Sequence, residues 1–204
     1  MISKERRQQI YTTVFQFIID HNICTLPIDI YQIADILHVP LTSLSQIVQE
    51  SDLSKEDVLC IWKNEDGCVH SYTDKEGRTK YRIAYNDEKP KGRMRFTIAE
   101  ELSHIMLGHT NLEEFNMFHQ SYSEAKYQMI DEEARIAAGI LLCSPKFYYE
   151  QGFIYDVSEL ALAYSITEAC AKTRISVFDK WETEITENPL YCQIPMPIIS
   201  SQLA

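Results

Sequence analysis

The sequence of 204 residues has no apolar run long enough to cross a membrane and no closely spaced pair of cysteines. A spanning helix needs about 20 consecutive apolar residues. The stretch from Tyr11 to Asp20 is interrupted by polar residues and has no small-residue cleavage site, so it does not resemble an export signal. The six cysteines are scattered without a CxxC motif, which is typical of reduced, mostly buried thiols. We therefore expect a cytoplasmic protein.

Positive charge is also scarce. The chain has 19 Lys and Arg against 30 Asp and Glu, a formal net charge of -11. Such a surplus repels a phosphate backbone, so nucleic acid is not an expected partner. The length suits one domain with a small appendage. We predict a single domain over residues 1–185, followed by a Pro-containing C-terminal tail over residues 186–204 that is extended or partly disordered.

Apolar periodicity predicts that most of the chain is helical. Residues 4–22 have apolar positions at helical spacing, and Asp29 is a typical N-cap residue for a short second helix. Later helices are predicted over residues 94–107, 123–142, 158–164 and 167–181.

A different pattern lies between these two groups of helices. Short apolar segments alternate there with turn residues such as Gly67 and Gly77, which is typical of hairpins. Strands are expected at residues 58–62, 68–72 and 81–85. The predicted fold class is α+β, dominated by helices, with a small antiparallel three-stranded sheet.

Two adjacent glutamates and a histidine on the predicted helix at 94–107 give the clearest chemical signal. Glu100 and His104 lie one turn apart on the same face, while Glu101 is rotated from Glu100 by about 100°. Two ligands can then bind one ion while Glu101 contacts a water molecule beside it. The H-E-x-x-H motif of zinc peptidases has the same arrangement, with histidine at the first ligand position. The alternative is that so short a pattern consists of solvated glutamates and a packed histidine.

The residues around this motif resemble the ImmA/IrrE family of metallopeptidases. The family motif runs Arg-Phe-Thr-x-Ala-His-Glu-Leu-Gly-His, then apolar residues, then Gly-His, and residues 95–109 match it in order and spacing. Two further blocks are similar to the family, one at residues 26–29 and one from Glu133-Ala134 to Pro145. Together the matches extend over roughly residues 25–180.

The resemblance implies a zincin-like metallopeptidase fold and one divalent metal ion, with zinc expected first and manganese or iron as alternatives. It assigns the ligands to Glu100, His104 and Glu133 and the general base to Glu101, with Glu132 as the alternative to Glu133.

The chain departs from the family pattern at two positions, with Glu100 for histidine and Ser103 for glycine. Two carboxylates and one imidazole favour harder ions and a less acidic bound water. Either activity persists with a changed metal preference, or the site has decayed.

The resemblance implies a metal-dependent endopeptidase-like protein that acts on a regulatory protein, such as the repressor of a phage or other mobile element. The alternative is a catalytically decayed member that binds a regulatory protein partner. Residues 157–174 resemble a helix-turn-helix, but only Lys172 and Arg174 are basic in its second helix, so a packing role is expected.

Other side chains near the motif have weaker assignments. His109 lies about 140° around the helix from His104, so we expect a structural hydrogen bond for it and not a shared ion. Tyr122 and Tyr127 are candidates to line a cleft or to pack in the core.

Overall fold

In this computed structural model the described residues are 2–62, 64–111, 124–150 and 156–200, and most of them are helical. The α-helices in chain order are α1 (Lys4–Asp20), α2 (Ile30–Ile36), α3 (Leu44–Glu50), α4 (Lys55–Trp62), α5 (Lys91–Met106), α6 (Glu124–Leu142), α7 (Pro145–Glu150), α8 (Val157–Tyr164) and α9 (Glu168–Thr186). The strands are β1 (Thr25–Leu26), β2 (Leu41–Ser43), β3 (Gly67–Thr73), β4 (Thr79–Tyr85) and β5 (Ile198–Ile199). Short 3-10 helices lie at His109–Asn111 and Tyr191–Gln193.

The predicted helices are confirmed, and side-chain caps explain where several of them begin. Ser3, Asp29 and Thr167 each accept a hydrogen bond from a backbone N–H in the first turn of α1, α2 and α9. Such caps satisfy donors that have no partner within the helix. The α8–α9 pair is joined by a tight turn in which Ser165 has a φ of 53°.

The predicted strand at residues 58–62 is wrong, because these residues form the second half of α4. Ser54 and Asp57 explain the helix: the Asp57 backbone N–H donates to Ser54 Oγ at 3.2 Å, and the Ser54 backbone N–H donates to Asp57 Oδ2 at 3.0 Å. Val58 and Trp62 are then buried one turn apart on the same face. A five-residue apolar run cannot by itself separate a strand from a helix.

The three-stranded sheet is mixed and not antiparallel as predicted. Its order is β2-β4-β3. The β3 and β4 strands pair antiparallel, with Val69 opposite Ile83, as the hairpin pattern predicted. The third strand is β2, which pairs parallel to β4 with Leu41 opposite Ile83. Only three residues form it, too few for a period-two pattern to be visible in the sequence.

The core lies between α5, α6 and the helices on either side of them. α5 packs along α6, while α1 lies across α6 and also contacts α9. Fully buried side chains such as Phe15, Ile98, Leu102 and Phe178 fill this space. Removing each from water contributes about 1.5–3 kcal/mol. Within the described residues, no helix combines the length and apolarity that a membrane crossing would need.

The described part of the tail packs onto the domain. Asn188 is buried and donates to Gln8 Oε1 at 2.9 Å and to Thr12 Oγ1 at 3.0 Å on α1. Tyr191 and Ile194 belong to the main core. β5 then pairs parallel with β1. Residues 188–199 are thus held against the domain, and residues 201–204 lie outside the described part.

Candidate metal centre

Arg95 and Gly92 fix the position of α5, which carries the motif. The buried Arg95 side chain donates from Nη2 to the Ile28 carbonyl at 2.6 Å and from Nε to the Ser165 carbonyl at 3.1 Å. A Cβ atom on Gly92 would lie 2.7 Å from the Thr167 backbone nitrogen, so a residue without a side chain is required there. These contacts tie the start of α5 to the loop before α2 and to the α8–α9 turn.

The motif face of α5 lines a cavity of about 180 Å³. Three carboxylates on the two helices line it, Glu100 and Glu101 from α5 and Asp131 from α6, together with the His104 imidazole and with Asp66, which is ion-paired with Arg93. Its other lining residues include Cys68 on β3 and the α6 residues Tyr127 and Arg135. Tyr127 therefore lies in the cleft, whereas Tyr122 is outside the described residues. This concentration of negative charge in a partly enclosed space favours a bound cation or bound protons.

Glu101 lies between the cavity and the sheet. The backbone of Val69 on β3 forms a hydrogen bond to its carboxylate, which lowers its pKa. Burial, helped by the neighbouring Glu100 and Asp131, outweighs that bond and raises the pKa of Glu101 to about 8. In the metal-free protein Glu101 therefore holds a proton at neutral pH.

Arg135 contacts Glu100 and Asp131, the other two carboxylates that α5 and α6 provide to the cavity. Its Nε donates to Glu100 Oε1 at 2.9 Å, and its Nη2 lies 3.4 Å from Asp131 Oδ2. Burial nevertheless raises the pKa of Glu100, with Asp131 acting in the same direction and Arg135 opposing it. The Arg135 side chain is 57% exposed, while those of Glu100 and Asp131 are 15% and 16% exposed. The guanidinium thus covers the rim of the cavity from the solvent side.

A chain of hydrogen bonds fixes the tautomer of His104. Glu133 Oε2 lies 3.0 Å from His109 Nε2 and 2.6 Å from Arg6 Nη2, and His109 Nδ1 lies 3.0 Å from His104 Nδ1. Burial opposes ionisation of Glu133, but its bonds to Arg6 and His109 lower its pKa overall.

Because burial lowers the pKa of His109, that ring is neutral and carries a single proton. Its Nε2–H donates to the Glu133 carboxylate, so its Nδ1 accepts from His104 Nδ1–H. A neutral His104 then carries its proton on Nδ1, and its Nε2 lies 3.8 Å from Asp131 Oδ1. A histidine that binds a metal through Nε2 needs this tautomer.

The structure brings three of the four predicted site residues to one cavity. Glu100, Glu101 and His104 line it, but Glu133 does not. Glu133 is buried behind His104 and bonded to His109, while Glu132, its alternative, is exposed and lines a separate cavity beside Trp181. The α6 carboxylate that lines the cavity is Asp131. The structural hydrogen bond predicted for His109 is confirmed.

Sequence reasoning missed Asp131 and Arg135. They are four residues apart and so share a face of α6, which was the available signal. Ser103, which stands in place of the glycine of the family motif, is accommodated within α5. It is fully buried, and its Oγ donates to the Ala99 carbonyl at 2.7 Å.

The donor types of the cavity fit a divalent ion. Two zinc ligands at about 2.0–2.2 Å from the ion lie roughly 3–3.5 Å apart, close to the 3.8 Å between His104 Nε2 and Asp131 Oδ1. An imidazole nitrogen and a carboxylate oxygen are both common zinc ligands. In the part of the chain that the structure describes, no three His, Cys, Asp or Glu side chains are yet close enough to hold an ion. Glu100 is held by Arg135 instead.

A known family matches the part of the chain that contains this cavity. Residues 59–176, from within α4 to within α9, match the family model of the IrrE N-terminal-like domain, peptidase family M78. The match extends over more than half of the chain, and the protein belongs to this family of metallopeptidases. No curated protein matches the chain.

Proposed function

We propose that the protein is a metal-dependent endopeptidase with a zincin-like catalytic centre, in which Glu100, His104 and Asp131 hold one divalent ion. Asp131 takes the place in the ligand set that the sequence assigned to Glu133. The observation that carries the proposal is that His104 Nε2 lies 3.8 Å from Asp131 Oδ1, in the same cavity as Glu100 and Glu101. Zinc is the first expectation, and the two carboxylates keep manganese and iron as alternatives.

The bound ion would polarise the substrate carbonyl and make a bound water molecule more acidic. Glu101 is the general base, because it lies in the cavity beside the proposed ligands and is held in place by the Val69 backbone. It takes a proton from the attacking water and can return it to the leaving nitrogen. Glu133 and His109 are positioning residues, since they act through the tautomer of His104.

The edge of the sheet supports a peptide as substrate. β3 is an edge strand of the three-stranded sheet, and its residue Val69 directs a backbone hydrogen bond away from β4, to Glu101. An extended peptide that adds to this edge would lie across the cavity. The nature of the substrate, a regulatory protein such as a mobile-element repressor, is proposed from the family resemblance.

Metal content and peptide cleavage test the proposal together. We expect one divalent ion per chain by elemental analysis after loading, and a melting temperature that falls when a chelator is added. Glu101→Gln should retain the ion and lose cleavage, whereas His104→Ala should lose both. Cleavage is measured on a proteome-derived peptide library by labelling new amino termini. Glu132→Gln is the control, because Glu132 is exposed outside the cavity.

Two results would remove the proposal. A protein that remains metal-free in the presence of zinc, manganese or iron has no such centre. If a Glu101→Gln variant cleaves peptides at the parent rate, Glu101 is not the general base.

The second candidate is a non-catalytic module that binds a protein partner. The specific observation in its favour is that the Arg135 guanidinium already forms ion pairs with Glu100 and Asp131, the carboxylates that a metal ion would otherwise bind. In this reading the cleft retains its shape while an internal cation replaces the ion. A metal-free parent protein together with an Arg135→Met variant that binds the ion would favour it.

A further inference from the structure

A second cavity, of about 280 Å³, lies at the N-terminal end of α9 between α5 and α6. Three arginines line it, Arg93, Arg135 and Arg174, and none of the lining residues that the structure describes is acidic. In a chain with a net charge of -11, such a local excess of positive charge needs an explanation.

Arg174 is the least compensated of the three. Its residue is 7% exposed, and its Nε and Nη1 are fully buried without a hydrogen-bond partner among the described residues. Buried, unsatisfied donors on a charged group are costly, so they are expected to be matched by a partner. Arg93 and Arg135, by comparison, are ion-paired on the side of the first cavity, with Asp66 and with Glu100 and Asp131.

The surrounding backbone is built to hold this arginine. A Cβ atom on Gly139 would lie 1.7 Å from Arg174 Nη1, so α6 has no side chain where the guanidinium packs. Thr167 caps the first turn of α9, a helix of 19 residues, and Ala169 and Cys170 of that turn also line the cavity. The N-terminal end of a helix attracts anions through its free N–H groups and its dipole.

We propose that this second cavity binds an oxyanion, the phosphoryl or carboxylate group of a small ligand, with Arg174 as its main cation. Arg174 lines the cavity, and its planar fork suits both oxyanion types. The α9 terminus adds positive potential, while Arg93 and Arg135 are already ion-paired with carboxylates of the first cavity. This site does not depend on the peptidase proposal.

Inorganic phosphate and acetate are the probes, titrated into the full chain by calorimetry from about 0.1 to 30 mM against chloride of equal ionic strength, with melting temperature as a second readout. We expect saturable binding and a higher melting temperature with at least one of them, and the stronger of the two identifies the group. Arg174→Met should weaken binding at least about tenfold. Arg78→Met, which removes an exposed arginine on the β3–β4 hairpin, should leave it unchanged.

A second variant keeps the test valid if Arg174→Met does not fold. Ala169 is exposed in the first turn of α9, where a carboxylate is compatible with the helix dipole. Ala169→Glu should fill the cavity with an internal carboxylate, abolish anion binding and preserve the melting temperature. The proposal is wrong if neither anion binds saturably to the parent protein. It is also wrong if Arg174→Met and Ala169→Glu both bind the anion as tightly as the parent does.

Discussion

Replacing Arg135 with methionine should tighten metal binding. In the metal-free structure Arg135 holds Glu100 at 2.9 Å and lies 3.4 Å from Asp131, so an ion must displace these contacts before it can use both carboxylates. Methionine has nearly the same helix propensity as arginine and a similar length, so α6 should be preserved. The substitution therefore removes a competitor without changing any proposed ligand.

The exposure of Arg135 limits the size of the effect. With 57% of its side chain accessible, each ion pair contributes about 0–1 kcal/mol, as exposed pairs generally do. Two pairs together contribute at most about 2 kcal/mol. Since 1.4 kcal/mol corresponds to a factor of ten, the zinc dissociation constant should fall by up to about thirtyfold.

Competition with a chromogenic chelator at fixed ionic strength measures this change. Arg78→Met is the matched control, because Arg78 also contacts two carboxylates, Asp74 and Glu76, and is 63% exposed, but lies on the hairpin. Its removal should leave zinc affinity as in the parent. If Arg135→Met binds zinc no more tightly than the parent, Arg135 does not compete with the ion.

Three further predictions concern the first cavity. Glu100→His should tighten zinc binding, because it supplies a neutral imidazole and releases the Arg135 contact, and chelator competition again measures it. For Glu101, whose pKa is raised to about 8 from 4.5, the folded state binds the proton more tightly, so the free energy of unfolding of the metal-free protein should fall as pH rises from 4.5 to 8. In urea titrations, Glu101→Gln should flatten this dependence. Glu133→Gln should lower zinc affinity about ten- to a hundredfold by disturbing the His104 tautomer, as measured by the same competition, while leaving all three ligands present.

Sequence patterns predicted both helices of the site, and on α5 they also identified the residues that line the cavity. The predicted helix at 94–107 agrees with α5 at Lys91–Met106, because its apolar face and its polar motif alternate at helical spacing. On α6 the buried residues Ile130, Ala134, Ala137 and Leu141 form one apolar face. Asp131 and Glu133 lie on either side of that face, so periodicity gives no preference between them.

The strands show a related limit. β3 and β4 are joined by a turn and pair locally, so their pattern was visible in the sequence. β2 and β5 gain their partners only through tertiary packing, with Leu41 opposite Ile83 and Thr25 opposite Ile198. The distance between Arg135 and Glu100 is likewise set by how α5 and α6 pack, so it could not be predicted from the local pattern of either helix.

Arg135 connects the two cavities, since it lines both of them. An oxyanion beside Arg174 attracts the same guanidinium that holds Glu100 and Asp131. If Arg135 turns toward the anion, the two carboxylates are released for the ion, and anion and metal then favour each other's binding by equal factors. The coupling cannot exceed the contribution of Arg135 itself, about thirtyfold. Sulfate is a suitable oxyanion for this test because it does not precipitate zinc. Sulfate should raise zinc affinity in the parent protein but not in Arg135→Met. If sulfate leaves zinc affinity unchanged in both proteins, the two cavities act independently.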